Sequence, residues 1–167
     1  MFKKLIVISL LSMVCLHVKA QQKWFQQQIA ERVSINFPTQ PRKLNEISYG
    51  LKDTSGIVYV SSIVDLLKST KLDLPTFNEE IEKQEFADDF GIGVSGSFPK
   101  YKFGLTKLIM VQGKRAYTME ARSDENKSNL FMLVCFLDGI SYTFTCIVPD
   151  GKSLKNKDIY LSTVSIK

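Results

Sequence analysis

Apolar and polar residues alternate along most of the chain, the period-two pattern of strands with one face against a core. Ile29, Val33, Ile35 and Phe37 fit a strand that closes at Pro38, where proline withdraws a ladder donor. Two further strands flank a turn at Asp53-Thr54-Ser55-Gly56. The second of them, Ile57 to Leu66, is apolar on both parities: Ile57, Tyr59 and Ile63 one way, Val58, Val60, Val64 and Leu66 the other. A strand dry on both faces belongs inside a covered sheet.

From Thr76 the pattern changes to TFNEEIEKQEFADDF, rich in helix formers, with Thr76 and Glu79 spaced as a capping box. Phe77 and Ile81 mark one stripe, and Phe86, Phe90 and Val94 another rotated well round it. The helix either kinks near Gln84 or packs on two sides. After Pro99, TKLIMVQGKRAYTMEARS predicts a hairpin turning at Gly113-Lys114. NLFMLVCFLDGISYTFTCIV predicts a second hairpin, turning at Asp138-Gly139, a favoured two-residue connection. One of its faces carries Phe131, Leu133, Cys135, Leu137, Ile140, Tyr142, Phe144 and Cys146. The other mixes Met132, Val134 and Phe136 with Ser141, Thr143 and Thr145. SLKNKDIYLSTVSIK predicts a short helix followed by a terminal strand or an extended tail.

The first twenty residues break this alternation. Lys3 and Lys4 precede an apolar run from Leu5 to Leu16, and Val18-Lys19-Ala20 has the small-residue spacing of a cleavage site. The run falls short of the about 20 residues that a membrane-spanning helix needs. The pattern predicts a signal peptide over 1–20, cleaved after Ala20, and a single domain over 21–167. Export places the product in the periplasm or outside the cell. Lipidation at Cys15 is the weaker alternative, because Val14 is not the small residue that should precede a modified cysteine.

Without its leader the chain holds 19 basic and 17 acidic residues, so the net charge is +2 rather than the +5 of the whole sequence. Bulk charge therefore makes no case for nucleic acid. Residues 73–89 concentrate the acids: Asp73, Glu79, Glu80, Glu82, Glu85, Asp88 and Asp89 stand against Lys83 alone. Such a segment reads first as a solvated helix face and second as a surface that orients a partner.

Cys135 and Cys146 remain in an exported chain, where a pair invites a disulfide. The Asp138-Gly139 turn, however, sets Cys135 opposite Tyr142 and Cys146 opposite Phe131. The two thiols then lie roughly 13 Å apart along the ladder, beyond the about 7 Å between Cα atoms that a disulfide tolerates. Both are expected as buried free thiols. The only histidine, His17, lies in the leader. Histidine-based triads, histidine general bases and histidine-containing zinc sites are therefore not expected.

Gly91-Ile92-Gly93-Val94-Ser95-Gly96 spells G-x-G-x-x-G. A dinucleotide site needs a strand entering these glycines, a helix leaving them and an acid about 20 residues on. Here the preceding residues look helical, Pro99 follows, and the acid's place falls near Val111 and Gln112. The glycines instead suggest a flexible helix exit. The carboxylate pairs Glu79/Glu80 and Asp88/Asp89 suggest glycosidic hydrolysis only weakly, because adjacent helical residues point apart. Lys100-Tyr101-Lys102-Phe103 interleaves cations and aromatics as single-strand binders do, over only four residues. Trp24 and Phe25 are expected to pin the first strand to the core.

The order of VSINFPTQP, YVSSIVDL, a helix, LIMVQGKRAYTMEAR, FMLVCFLDGISYTFTCIVPDG and IYLSTVSI resembles the Mog1/PsbP-like superfamily, and more narrowly its small secreted bacterial members of unknown function. Phe37, Pro38, Pro41, Gly113, Asp138, Gly139 and Tyr142 carry the likeness. It implies an α+β fold, a mostly antiparallel sheet of about six strands flanked by helices as an α/β/α sandwich. It implies no activity. The expected function is non-enzymatic: a binding or assembly module for an envelope protein or component, with no catalytic, cofactor-binding or metal-binding residues. The alternatives are a carboxylate-based hydrolase acting on glycans, which needs a cleft holding two acids, and a lipid or small-ligand carrier, which needs an apolar cavity between sheet and helices.

Overall fold

The longest stretch of sheet grows from the Asp138-Gly139 turn. Both residues have positive φ, 52° and 79°, as a two-residue turn of this hand requires. Strands β9 (Ser128–Leu137) and β10 (Ile140–Pro149) leave it in the register expected from sequence, Cys135 opposite Tyr142 and Cys146 opposite Phe131. The structure, a computed structural model, describes residues 24–167. The signal peptide expected over 1–20, its expected cleavage after Ala20, Cys15 and His17 lie outside the described residues.

The other strands are β1 (Phe25–Ala30), β2 (Val33–Phe37), β3 (Arg42–Asn45), β4 (Ser48–Lys52), β5 (Val58–Asp65), β6 (Lys102–Phe103), β7 (Lys107–Val111), β8 (Lys114–Ser123) and β11 (Ser165–Ile166). The helices are α1 (Leu66–Thr70), α2 (Leu74–Glu80), α3 (Gln84–Gly96) and α4 (Lys155–Ser162). The large sheet runs β3-β4-β5-β10-β9-β8-β6, with β7 also pairing with β8, and β1-β2-β11 form a small sheet. Every pairing among the described residues is antiparallel. Six strands of the large sheet have five or more residues, and β3 and β6 are short edge pieces.

The small sheet and α4 cover one face of the large sheet. Val33, Ile35 and Phe37 of β2 meet Tyr59, Tyr142, Phe144 and both cysteines. Tyr160 docks α4: its ring packs edge-on to Phe37 and Tyr59, each at 5.2 Å between centroids, and its hydroxyl donates to the Val60 carbonyl at 2.9 Å. Helices α1 to α3 lie on the opposite face over Tyr117, Met119, Leu130, Met132, Val134 and Phe136. The chain is thus α+β, an antiparallel sheet flanked by helices.

Several local expectations change. The first expected strand is a hairpin, β1 and β2, turning at Glu31-Arg32. The turn between β7 and β8 is Gln112-Gly113, one residue earlier than expected, because Val111 pairs with Lys114. The cap of α2 is Asp73 rather than Thr76: its carboxylate accepts from the Thr76 amide at 2.9 Å. The acidic segment does not form one helix. Lys83 is extended, so α2 and α3 are separate and each turns its own stripe inward. Strand β5 is covered on one face only. Tyr59 and Ser61 are buried towards β2, whereas Val64 on the other face is 44% exposed.

Candidate functional site: a cleft beside helix α3

The uncovered face of β5 follows from the side chains its neighbours present. On β8 and β9 the helix-facing positions are large and apolar, and an aromatic cluster seats the helices there. Tyr117 and Phe136 are 4.7 Å apart, Phe90 lies 5.8 Å from each, and Phe77 sits 6.0 Å from both Phe86 and Phe136. On β10 and β5 the same face turns to Ser141, Thr143, Thr145 and Ser62. Hydroxyl residues offer a helix little apolar area to bury, so the helical layer stops at α3.

What remains is a cleft of about 570 Å³ between α3 and the β5–β10 pair. Val60, Val64, Met132 and Ile147 form the apolar part of its floor, and Ser62, Ser141, Thr143 and Thr145 the polar part. Phe90, Gly93 and Val94 of α3 and Phe98 just beyond it form the wall, with Leu66 at one end. The Ser141 hydroxyl donates to the Val64 carbonyl at 3.3 Å. Among the described residues no ionisable side chain lines this cleft. Its volume and its mix of apolar surface with a few hydroxyls match ordinary small-molecule sites.

The G-x-G-x-x-G residues sit in the last turns of α3 rather than in a flexible exit. Gly91 is buried, and a β-carbon there would stand 2.3 Å from the Thr106 Oγ1. A β-carbon at Gly93 would meet nothing within 4 Å, and its absence widens the cleft wall. Strands, helices and glycines never form the strand–loop–helix cradle of a dinucleotide site.

The carboxylate pairs stay outside the cleft. Glu80 pairs with Lys83 at 2.7 Å, Asp88 accepts from Gln84 at 2.8 Å, and Glu82 pairs with Arg115. Asp88 edges a separate depression of about 360 Å³ that holds no second acid. In Lys100–Phe103 the cations and rings are already engaged. Lys100 pairs with Glu125, the Tyr101 hydroxyl bonds to Ser128 Oγ at 2.8 Å, and Phe98 packs 6.2 Å from Tyr101 and 6.1 Å from Phe103. Trp24 packs edge-on to Tyr59 at 6.3 Å, but Phe25 is 38% exposed and pins nothing.

Cys135 and Cys146 are fully buried free thiols on the face towards the small sheet. Burial pushes each up to about 12, which removes them as nucleophiles near neutral pH. Asp53 is the one partly buried carboxylate with a depressed pKa. Burial works against that direction, and hydrogen bonds from the Ser55 and Tyr59 hydroxyls and the Ile57 and Ser55 amides outweigh it. Its partners make it a latch for the 53–57 turn: Tyr59 donates to it at 2.9 Å. Among the described residues no cluster of three or more His, Cys, Asp or Glu could hold a metal, and no helix is long and apolar enough to cross a membrane.

No protein-family model matches the chain, and no curated protein matches it. Several solved structures are similar in backbone, and two of them illustrate the likeness. One, a crystal structure from Bacteroides thetaiotaomicron VPI-5482, is 10% identical with a TM-score of 0.45, covering 87% of this chain and 49% of that one. The chain thus spans about half the length of that protein. The other, a solution structure of cyanobacterial PsbP (CyanoP) from Synechocystis sp. PCC 6803, is 10% identical with a TM-score of 0.50, covering 90% of this chain and 96% of that one. At that identity the likeness concerns fold: this is a PsbP-like α+β architecture.

Proposed function

We propose that the protein is an exported, non-enzymatic binding module of the Mog1/PsbP-like type that holds an apolar group of an envelope component in the cleft beside α3. The observation that carries this reading is the lining itself. Large apolar side chains and strand hydroxyls surround about 570 Å³ without one group able to move a proton near neutral pH. The basic leader, its apolar run and Ala20 support export. The near balance of 19 basic and 17 acidic residues beyond Ala20 supports a ligand other than nucleic acid.

The test is titration of the purified protein with N-phenyl-1-naphthylamine, a neutral dye that brightens in apolar surroundings. Saturable one-to-one binding is expected, abolished by Thr143→Phe, whose ring fills the floor of the cleft while a strand accommodates it. Binding that ignores Thr143→Phe, or fails to saturate, overturns the assignment of the cleft. Export is tested separately by fractionation and by a mature N-terminus at Gln21.

A further inference from the structure

The cleft does not end at β5. A second trough of about 590 Å³ continues from it across the same sheet face, sharing Val60 and lined by Gln40, Arg42, Leu44, Gly50, Lys52 and Val58 among others. Strand register makes the continuity explicit. Gly50 lies opposite Val60, Arg42 opposite Gly50, and Lys52 opposite Val58, so Val60, Gly50 and Arg42 form one row across three strands. Two strand spacings separate Arg42 from Val60, roughly 10 Å. Leu44, 59% exposed, lies over Gly50 and keeps the path between them apolar. Arg42 and Lys52 are exposed, and among the described residues neither has a salt-bridge partner.

An apolar cleft that opens through an apolar channel onto two uncommitted cations has the polarity of one kind of molecule. We infer that the occupant is a long-chain carboxylate, its acyl tail lying against Thr143, Thr145 and Ile147 under α3 and its head paired with Arg42 and Lys52. This rests on the cleft being a ligand site and adds the class of ligand. The guanidinium fork suits a carboxylate, and the unbranched tail suits a cleft walled on one side by a helix and floored by flat strands. The acidic stretch of α2 and α3 gives the partition its sense. Asp73 to Asp89 lie on the helical layer, whereas the trough mouth beyond β5 is basic.

The experiment is displacement of N-phenyl-1-naphthylamine by palmitate and by methyl palmitate, at low and high salt, with the oligomeric state followed by light scattering. Palmitate is expected to bind more tightly than its ester, with the advantage shrinking as salt rises. Arg42→Gln and Lys52→Gln are each expected to weaken palmitate by up to about fivefold and to leave the ester unchanged. Each methylene removed from the acid should weaken binding about fourfold. If the dye binds but palmitate is no better than its ester, or the two glutamine variants weaken both alike, the ligand class is wrong and the cleft assignment survives. If neither dye nor acid binds, both fall. Binding to anionic vesicles without binding of dispersed palmitate, or a dimer that Thr143→Phe dissociates, overturns the inference in favour of a membrane surface or a second copy of the chain.

Discussion

Tyr117 on β8 donates a hydrogen bond to the carbonyl of Ile81 at 2.7 Å, with both groups buried. Ile81 stands where α2 ends and the chain breaks before α3, so this bond ties the helical layer to the sheet at that break. Removing the hydroxyl while keeping the ring isolates its contribution. Tyr117→Phe preserves the contacts with Phe90 and Phe136 but strands the Ile81 carbonyl. A loss of ~1–3 kcal/mol is expected in urea unfolding. An unchanged midpoint would mean that apolar contacts alone hold α2 and α3.

The three glycines of α3 separate by environment. Gly93→Ala adds a methyl to open space in a helix, and a gain of up to ~1 kcal/mol is expected from backbone entropy. Gly96→Ala, at the helix's last residue, should gain less. Gly91→Ala drives a β-carbon into buried Thr106 and should lose ~1–3 kcal/mol by overpacking. Thermal unfolding of the three variants decides it. A uniform response at all three positions would contradict the packing described for α3.

How far the sequence foretold the structure depends on how local each determinant is. The β9–β10 register was legible to the residue because a two-residue turn at Asp138-Gly139 fixes it, and with it the separation of Cys135 from Cys146. The break between α2 and α3 was visible only as two rotated stripes. The bond that accompanies it, from Tyr117 to Ile81, joins residues 36 apart in sequence. Helix α1 has five residues and a single local signal, the Asp65 cap, too little to distinguish it from the end of a strand. The hydroxyl face of β10 was plain, but the cleft was not. Nothing local says that β10 pairs with β5 on its far side, or that the helical layer stops at α3.

Ser61 is fully buried between Tyr49 and Phe144 of the neighbouring strands, and its Oγ is the one buried side-chain polar atom among the described residues without a partner. Ser61→Ala removes an unsatisfied hydroxyl and very little volume. Stability should rise by up to ~1 kcal/mol rather than fall. A loss of that size in urea unfolding would show that the hydroxyl does hydrogen-bond in solution, through a water held in the core.

The buried thiols predict how stability responds to alkali. Each cysteine starts from an ordinary value of 9.0 and is pushed by burial up to about 12 in the folded chain. A folded value above the unfolded one means that the unfolded chain sheds protons first. The stabilisation is whole below pH about 9 and drains as pH climbs towards about 12. Each thiol contributes a slope approaching ~1.4 kcal/mol per pH unit inside that window. Burial also raises Tyr59, Tyr117 and Tyr160, but tyrosines in an unfolded chain ionise near pH ~10, so their share enters later. The thiol share is therefore read between pH 9 and 10, under reductant, by urea unfolding of the wild type against Cys135→Ala/Cys146→Ala. The double variant starts less stable because it leaves cavities, yet its stability should fall less steeply over that interval. Equal slopes would mean that the thiols ionise in the folded protein as readily as in the unfolded one, which a dry layer between the two sheets does not permit.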